Sequence, residues 1–205
     1  MQEVAMRIFC LALLVASALS AQSFEHGPVS LYSVMGVGSA PSAPGAGMFG
    51  AYGGGVSFRA SAWVAPYLEA SVAPLTGNFL SLLGISKSQI PAGASVSARS
   101  VDFGGGMQIF LARGPLVQPY LLGGAGIERS SISVSERIGS LGGTATASIV
   151  STDPAVHAGF GARFYIGRNL GVRPEVRVYR AFGGTPLTTW RANFGVFYDF
   201  NPPER

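Results

Sequence analysis

Charge is scarce in this chain. Asp, Glu, Lys and Arg make up 12% of its 205 residues, about half of the ~25% usual in soluble domains. Lysine is almost missing: Lys87 stands alone against thirteen arginines. Water-exposed surfaces rely on mixed charge to stay dispersed, so an ordinary soluble surface is hard to build from this composition. Cysteine occurs once, at Cys10, which excludes an internal disulfide. The only histidines are His26 and His157, too few for the three or four ligands of a typical metal site, and no cofactor is expected. Also missing is any apolar run of ~20 residues, the length a membrane-crossing helix needs. Yet hydrophobic residues reach 48%, with 29 glycines. High hydrophobicity without a membrane helix leaves two classes. One is a deeply buried soluble fold; the other is a transmembrane β-barrel, whose alternating strands give only weak hydropathy peaks.

The first residues favour export. Arg7 precedes an apolar run, Ile8–Leu19, and then the small residues "ASALSA". A basic start, a short apolar core and a small-residue cleavage region make a secretory leader, too short for an anchor. Residues 1–21 are therefore expected to be a cleavable signal peptide and residues 22–205 the mature domain. Cys10 precedes the end of the apolar core and lacks the small residue of a lipidation site, so it is read as part of the leader.

Eight strands are expected after it: Val29–Val37, Met48–Phe58, Trp63–Val72, Arg99–Leu111, Gln118–Ser130, Ala155–Ile166, Leu170–Ala181 and Thr189–Phe200. Each is about long enough to cross a bilayer when tilted. Three connections are short: "RASA", "ARGPLV" and "GRN". The other four, "GSAPSAPGAG", Ala73–Ala98, Ile132–Pro154 and "FGGTPLT", are long or rich in Gly, Pro, Ser and Thr. Long and short alternate without exception, as in barrels with tight periplasmic turns and long extracellular loops. Three hairpins also repeat one layout. "GGGVSFRASAWVAPYLEA", "GGGMQIFLARGPLVQPYLLG" and "GFGARFYIGRNLGVRPEVR" each carry a Gly-x-Gly, an apolar half-strand, a short turn and an early proline (Pro66, Pro119, Pro174). Proline lacks the ladder N–H and suits the first residues of a strand. Gly-x-Gly without a Lys and a following helix does not make a phosphate loop.

Side chains alternate faces along a strand. One face collects Arg59, Glu69, Asp102, Glu128, Arg163, Arg173, Glu175, Arg177, Arg191 and Asp199, beside a row of glycines. The opposite face carries the aromatics Phe160, Phe164, Trp190, Phe194, Tyr198 and Phe200. Alternation alone does not say which face is inside, and a lipocalin-like soluble barrel would turn the polar face outward. Two considerations oppose that. A glycine-rich, weakly charged face makes a poor water surface, and a narrow interior needs the small residues. In a membrane the polar face must point in. Each lipid-facing Arg at mid-bilayer costs roughly 2–4 kcal/mol, so five would cost about 10–20 kcal/mol, more than the ~5–15 kcal/mol that holds a typical domain together. Inside, such charges must be paired.

With that pattern the chain resembles the small outer-membrane β-barrel family of the opacity and outer-membrane-protein-A type. The residues that carry the likeness are "QPYLLGGAGIE" (Gln118–Glu128), "GFGARFYIGRNLGVRPEVRVYR" (Gly159–Arg180) and "NFGVFYDF" (Asn193–Phe200). They look like the family's Pro-Tyr-glycine strand, its penultimate hairpin and its closing aromatic strand. The likeness spans about Val29 to Phe200. It implies that Phe200 is the barrel-closing aromatic read by the assembly machinery, although "NPPER" follows it here. The peptidoglycan-binding domain of larger relatives is not implied.

The expected architecture is all-β: an eight-stranded, antiparallel, up-and-down transmembrane barrel in the bacterial outer membrane, monomeric, with both termini in the periplasm. The expected role is structural or interactive, in envelope integrity or adhesion, with a lumen plugged by charged pairs. Its partners are outer-membrane lipid, the assembly machinery and any ligand or surface met by the long loops. Nucleic acid is not expected, because the arginines belong to a barrel interior. The rival role is a narrow pore or a conduit for small, even apolar, solutes. A lipid-modifying enzyme ranks third, since His157 falls on the polar face with no serine and acid spaced to join it.

Overall fold

The computed structural model describes residues 27–40, 48–75, 95–138, 143–183 and 186–200. The expected leader over 1–21, Cys10, His26, Lys87, the loop residues 76–94 and the tail after Phe200 lie outside these. Eight strands follow one another: β1 (Val29–Ser39), β2 (Met48–Phe58), β3 (Val64–Leu75), β4 (Ser95–Phe110), β5 (Val117–Ile138), β6 (Gly143–Tyr165), β7 (Leu170–Ala181) and β8 (Leu187–Phe200). Each pairs antiparallel with the next, and β8 returns to β1, so the sheet is a closed barrel. The closing ladder runs from Val29 opposite Phe200 to Ser39 opposite Trp190. Closure removes both sheet edges over the part of the barrel where all eight strands pair.

The alternation resolves as a polar interior and an apolar exterior. Leu31, Met35, Tyr52, Phe103, Phe160 and Phe194 all point outward, each between 49% and 61% exposed. They sit on five different strands and so encircle the barrel, far more apolar surface than a water-soluble monomer tolerates. On β5 the outward apolar run goes from Val117 to Ile127. Ten steps of ~3.4 Å, tilted by about 40°, give a belt about 26 Å tall, close to the ~25 Å apolar band of membrane barrels.

The interior holds more than the sequence alternation alone suggested. Tyr32, Phe49, Tyr67, Phe110, Tyr120, Tyr165, Tyr179 and Phe197 are all buried there, together with the arginines. The inward glycines make room for them. A Cβ on Gly55 would lie 2.5 Å from the Tyr32 hydroxyl, and one on Gly171 2.5 Å from Phe197 Cζ. Small and large side chains therefore alternate between strands, ring over glycine, and the narrow cross-section is filled.

One expected boundary is wrong by a wide margin. Ile132–Pro154, read from sequence as a loop, is two strands: β5 continues to Ile138 and β6 starts at Gly143. The Ser/Thr content of this stretch suggested a loop, but it is distributed with period two, as in Ser131-Ile132-Ser133-Val134-Ser135, and that is a strand pattern. β4 likewise begins at Ser95 instead of Arg99 and pairs with β5 from there. β3 runs on to Leu75, opposite Ala98. The β6–β7 ladder reaches only to Ala155 opposite Ala181, so β6 runs on for about twelve residues, or about 40 Å, beyond its pairing with β7. The result is a three-stranded ribbon rising from the long-loop end of the barrel.

The sense of the alternation reverses at the base of this ribbon. Outward positions of β5 pass from Ile127 to Arg129, Ser131, Ser133 and Ser135, while inward positions pass from Glu128 to Ile132 and Val134. Ala98, Ile132 and Ile149 form one row that continues the lumen-side alternation, although Ile149 itself is 70% exposed, and Ser97, Ser133 and Ser148 form a row on the other side. Strand register is unbroken, so the change lies in residue choice: below this level the exterior meets an apolar medium, above it water.

If ring-over-glycine packing fills the barrel, Gly171→Leu should destabilise it by about 1–3 kcal/mol through overpacking against Phe197. Gly50→Leu, whose Cβ would meet nothing within 4 Å, should stay within ~0.5 kcal/mol of the parent. Urea unfolding in lipid vesicles measures both, and equal effects would contradict this packing.

Candidate functional site in the barrel interior

The ten charged residues singled out from the alternation all lie inside, none more than partly exposed. They form three levels. Nearest the short turns, β6 places Arg163 at the centre of the barrel. It faces Asp199 of β8 at 3.6 Å and donates to Ser30 Oγ (3.0 Å), Ser57 Oγ (2.8 Å) and Gln108 Oε1 (3.0 Å). Asp199 also accepts from the Tyr165 hydroxyl at 2.9 Å and from Ser30 Oγ. The Arg163 guanidinium lies 5.3 Å from the Phe110 ring centroid and 5.2 Å from that of Phe197. One cation is thus held by hydroxyls, an amide, a carboxylate and two ring faces, drawn from β1, β2, β4 and β8.

At mid-height, Arg177 of β7 binds Glu69 of β3 through two parallel bonds, both 2.8 Å. It also meets Glu175 at 2.5 Å. The fork-to-fork geometry with Glu69 is the strongest form of guanidinium–carboxylate pairing, and it joins opposite walls, 108 residues apart in the chain. Glu175 accepts further from Arg173 (2.7 Å) and the Tyr120 hydroxyl (2.9 Å). Arg173 lies 3.8 Å over the Tyr32 ring, a cation–π contact that meets the face of the guanidinium its carboxylate does not.

Nearest the long loops, Arg191 of β8 donates to Asp102 of β4 at 2.7 Å and to Ser71 Oγ at 3.2 Å, with the Tyr179 ring 4.3 Å away. Glu128 faces the same level but takes its hydrogen bond from Ser100 Oγ, 2.9 Å. His157 is held between Tyr67, whose hydroxyl bonds its Nε2, and the Tyr179 ring at 5.2 Å. A polar cavity of about 20 Å³ lies between Glu69, Asp102, His157, Arg177 and Tyr179, room for about one water.

Eight of the ten residues thus meet in ion pairs. The other two do not. Arg59 follows β2 and donates to Gln118 Oε1 at 2.8 Å while stacking on Phe110 at 4.7 Å; among the described residues no carboxylate lies within 4.0 Å of it. Glu128 lies opposite Asp102 on one side and Asp153 on the other, a row of carboxylates with Arg191 on Asp102. Charge balance by counting did not foresee this, because pairing depends on level as well as on face. Nor did it find the aromatic rings that stack on the arginines. Their signal was present: Tyr32, Tyr67, Tyr120 and Phe197 share the alternation of the charged residues. Phe200 ends β8 opposite Val29, its ring edge-on to Tyr198 at 5.0 Å. Among the described residues no group of His, Cys, Asp and Glu is arranged to hold a metal ion.

Arg177 tests the energetic weight of this network. Arg177→Met leaves Glu69 and Glu175 buried with an uncompensated charge and should cost about 3–5 kcal/mol. Arg168→Met, at the exposed turn between β6 and β7, should change stability by less than ~0.5 kcal/mol. Urea unfolding in vesicles gives both values, and a small effect at Arg177 would remove the network from the account of stability.

The fold has known counterparts. No curated protein sequence gives a significant match to the chain. Solved structures do match. A major outer membrane protein from Thermus thermophilus aligns with a TM-score of 0.58 at 14% identity, covering 83% of this chain and 99% of that one. Neisserial surface protein A aligns at 0.53 and 14%, covering 84% and 96%. OprG of Pseudomonas aeruginosa aligns at 0.50 and 11%, covering 87% and 98%. At such identities these show the fold. The sequence itself matches the family described as the outer membrane protein beta-barrel domain over residues 10–200. The chain therefore belongs to that family, and its place is the bacterial outer membrane.

Proposed function

We propose that the protein is a closed, monomeric outer-membrane barrel whose role is structural or surface-interactive, not catalytic. The observation that carries this reading is the three-level interior. Arg177 and Arg191 each cross the lumen to a carboxylate on the far wall, Arg163 crosses it to Ser57 and Gln108 with Asp199 beside it, and Arg163, Arg173, Arg177 and Asp199 are at most 1% exposed. A barrel of eight strands is just wide enough for side chains to fill, and these fill it with matched charges that resist displacement. On this reading the lumen is plugged at three heights.

The ribbon of β4, β5 and β6 supplies the interactive half of the proposal. We place the short turns and both termini in the periplasm, with residues 1–21 as the leader and Phe200 as the aromatic read by the assembly machinery. The long-loop end then faces outward, and among the described residues the ribbon reaches furthest from the membrane. It presents serine and threonine outward, joined across strands by contacts such as Ser135 to Thr146 at 3.1 Å. Adhesion to a surface, or reinforcement of the envelope, uses such a projection; a transport barrel has no need of one.

Planar-bilayer recording decides between this reading and a pore. The purified barrel should give no steady openings in the nanosiemens range. Steady openings would replace the plugged barrel with a conduit, beginning at the polar cavity between Glu69, Asp102 and His157.

A further inference from the structure

Three outward-facing arginines end the apolar belt at the long-loop end of the barrel. On β4 the outward sequence passes from Val101 to Arg99, on β5 from Ile127 to Arg129, and on β7 from Val178 to Arg180. All three are exposed. They differ from the arginines of the interior in their partners. Arg99 Nε donates to Ser131 Oγ at 3.3 Å and Arg180 Nη1 to Thr188 Oγ1 at 2.8 Å. Among the described residues no carboxylate lies within 4.0 Å of any of the three.

Arg99 and Arg129 are also neighbours. Val101 faces Arg129 across the β4–β5 ladder, and Ser131 faces Arg99. The two arginines are thus diagonal partners on one face, about 7–8 Å apart at the backbone. Two like charges at that spacing repel, and no described carboxylate is close enough to pair with either. Beside Arg129 on β6 stands the exposed hydroxyl of Thr152. The register sets Arg99, Arg129, Ser131 and Thr152 side by side on the outer wall at the level where its apolar surface stops. That level is where the charged headgroups of a lipid leaflet lie, and planar forks fit phosphate oxygens two at a time.

We infer that Arg99 and Arg129, with Ser131 and Thr152 beside them, form a site on the outer wall for the phosphate of a phosphorylated lipid headgroup, and that Arg180 makes a second contact of the same kind on β7. The phosphate replaces the missing carboxylate and removes the repulsion between the two arginines, while the lipid's acyl chains lie along Val101 and Ile127 beneath. The site is independent of whether the lumen conducts. It rests on the placement of the apolar belt in the membrane.

The full chain, folded in detergent micelles, is passed over a sizing column with fluorescent diphosphorylated lipid A, and in parallel with the same glycolipid stripped of its phosphates. A gel-mobility difference between heated and unheated samples reports whether each variant is folded, and insertion into phosphatidylcholine vesicles reports the membrane placement. The parent should retain the phosphorylated lipid and lose most of it without the phosphates. At roughly 1 kcal/mol per arginine near a charged lipid surface, Arg99→Gln and Arg129→Gln should each weaken retention about 5-fold and together about 30-fold. Arg168→Gln, in the turn at the other end, should change nothing. Equal retention of both lipids, or an unchanged folded double variant, would overturn the site and leave the membrane placement intact. Failure of the parent to insert would overturn both. Complete displacement by millimolar inorganic phosphate would assign the arginines to a free anion and overturn the lipid.

Discussion

The barrel depends on neutralising charge in a space too narrow for water to do it. Arg177 shows the constraint most plainly. Its guanidinium is 1% exposed and lies within 2.8 Å of carboxylates on two strands. Removing a guanidinium from water is costly, and the attraction of a partner offsets this only when geometry is good and the remaining donors are met. Here Glu69 supplies a bidentate partner from the far wall, Glu175 a second from the same strand and the Tyr179 hydroxyl a third, while Nε alone meets no partner among the described residues. The strands that carry these residues, β3 and β7, are not neighbours. The pair therefore constrains the cross-section of the barrel as well as its charge, adding a tie through the middle to the hydrogen-bonded wall. Arg191 makes an equivalent tie to Asp102 above it, and Arg163 ties the lumen below through Ser57 and Gln108.

The rings and glycines of the interior follow from the same constraint. An arginine that reaches across the lumen needs its stem packed and its flat faces covered. Tyr32 covers Arg173, Tyr179 covers Arg191, and Phe110 with Phe197 cover Arg163. Each ring must lie flat against a wall, and a wall with a Cβ at that point leaves no space, as Gly55 beneath the Tyr32 hydroxyl and Gly171 beneath Phe197 show. Cation, ring and glycine form one packing unit repeated at different heights. In the first and third hairpins the Gly-x-Gly, which in isolation resembles a nucleotide loop, supplies the wall side of that contact, with Gly55 against Tyr32 and Gly161 against Tyr120.

Much of this was legible in the residues. Period-two alternation placed Arg59, Glu69, Asp102, Glu128, Arg163, Arg173, Glu175, Arg177, Arg191 and Asp199 on one face, and β2 and β7 begin and end where the pattern changes. Level within the barrel was not legible, because register between strands is set by turns and closure that no single strand records. Arg59 and Glu128 consequently share the face of the ion pairs without sharing in them: Gln118 holds the first and Ser100 the second. The ribbon was missed for a different reason. Serine and threonine mark loops by composition but strands by periodicity, and from Ser131 to Ser135 and from Thr146 to Ser148 periodicity is the physically decisive signal, since a hydroxyl every second residue suits a water-facing strand.

The reversal of the alternation along β4 and β5 joins the interior to the exterior. Within the belt the outward side is apolar and the inward side polar. Past Arg99 and Arg129 the outward side of β4 and β5 carries Ser97, Ser131 and Ser133, and the inward side Ala98 and Ile132. A single unbroken strand cannot change which side faces which way, so two solvents must act on its two ends. The lipid end needs its charges hidden inside and neutralised there, which is why the pairs stop at Arg191 and Asp102. The water end has no such need, and its inward face is free to be apolar, with Ala98 packing onto Phe49, Ala51 and Ala73 at the mouth. Arg99 and Arg129 stand at the one level where a charge on the outer wall is neither buried in lipid nor surrounded by water alone. The same boundary that confines Arg177 and its partners to the lumen thus leaves room for outward arginines at the rim.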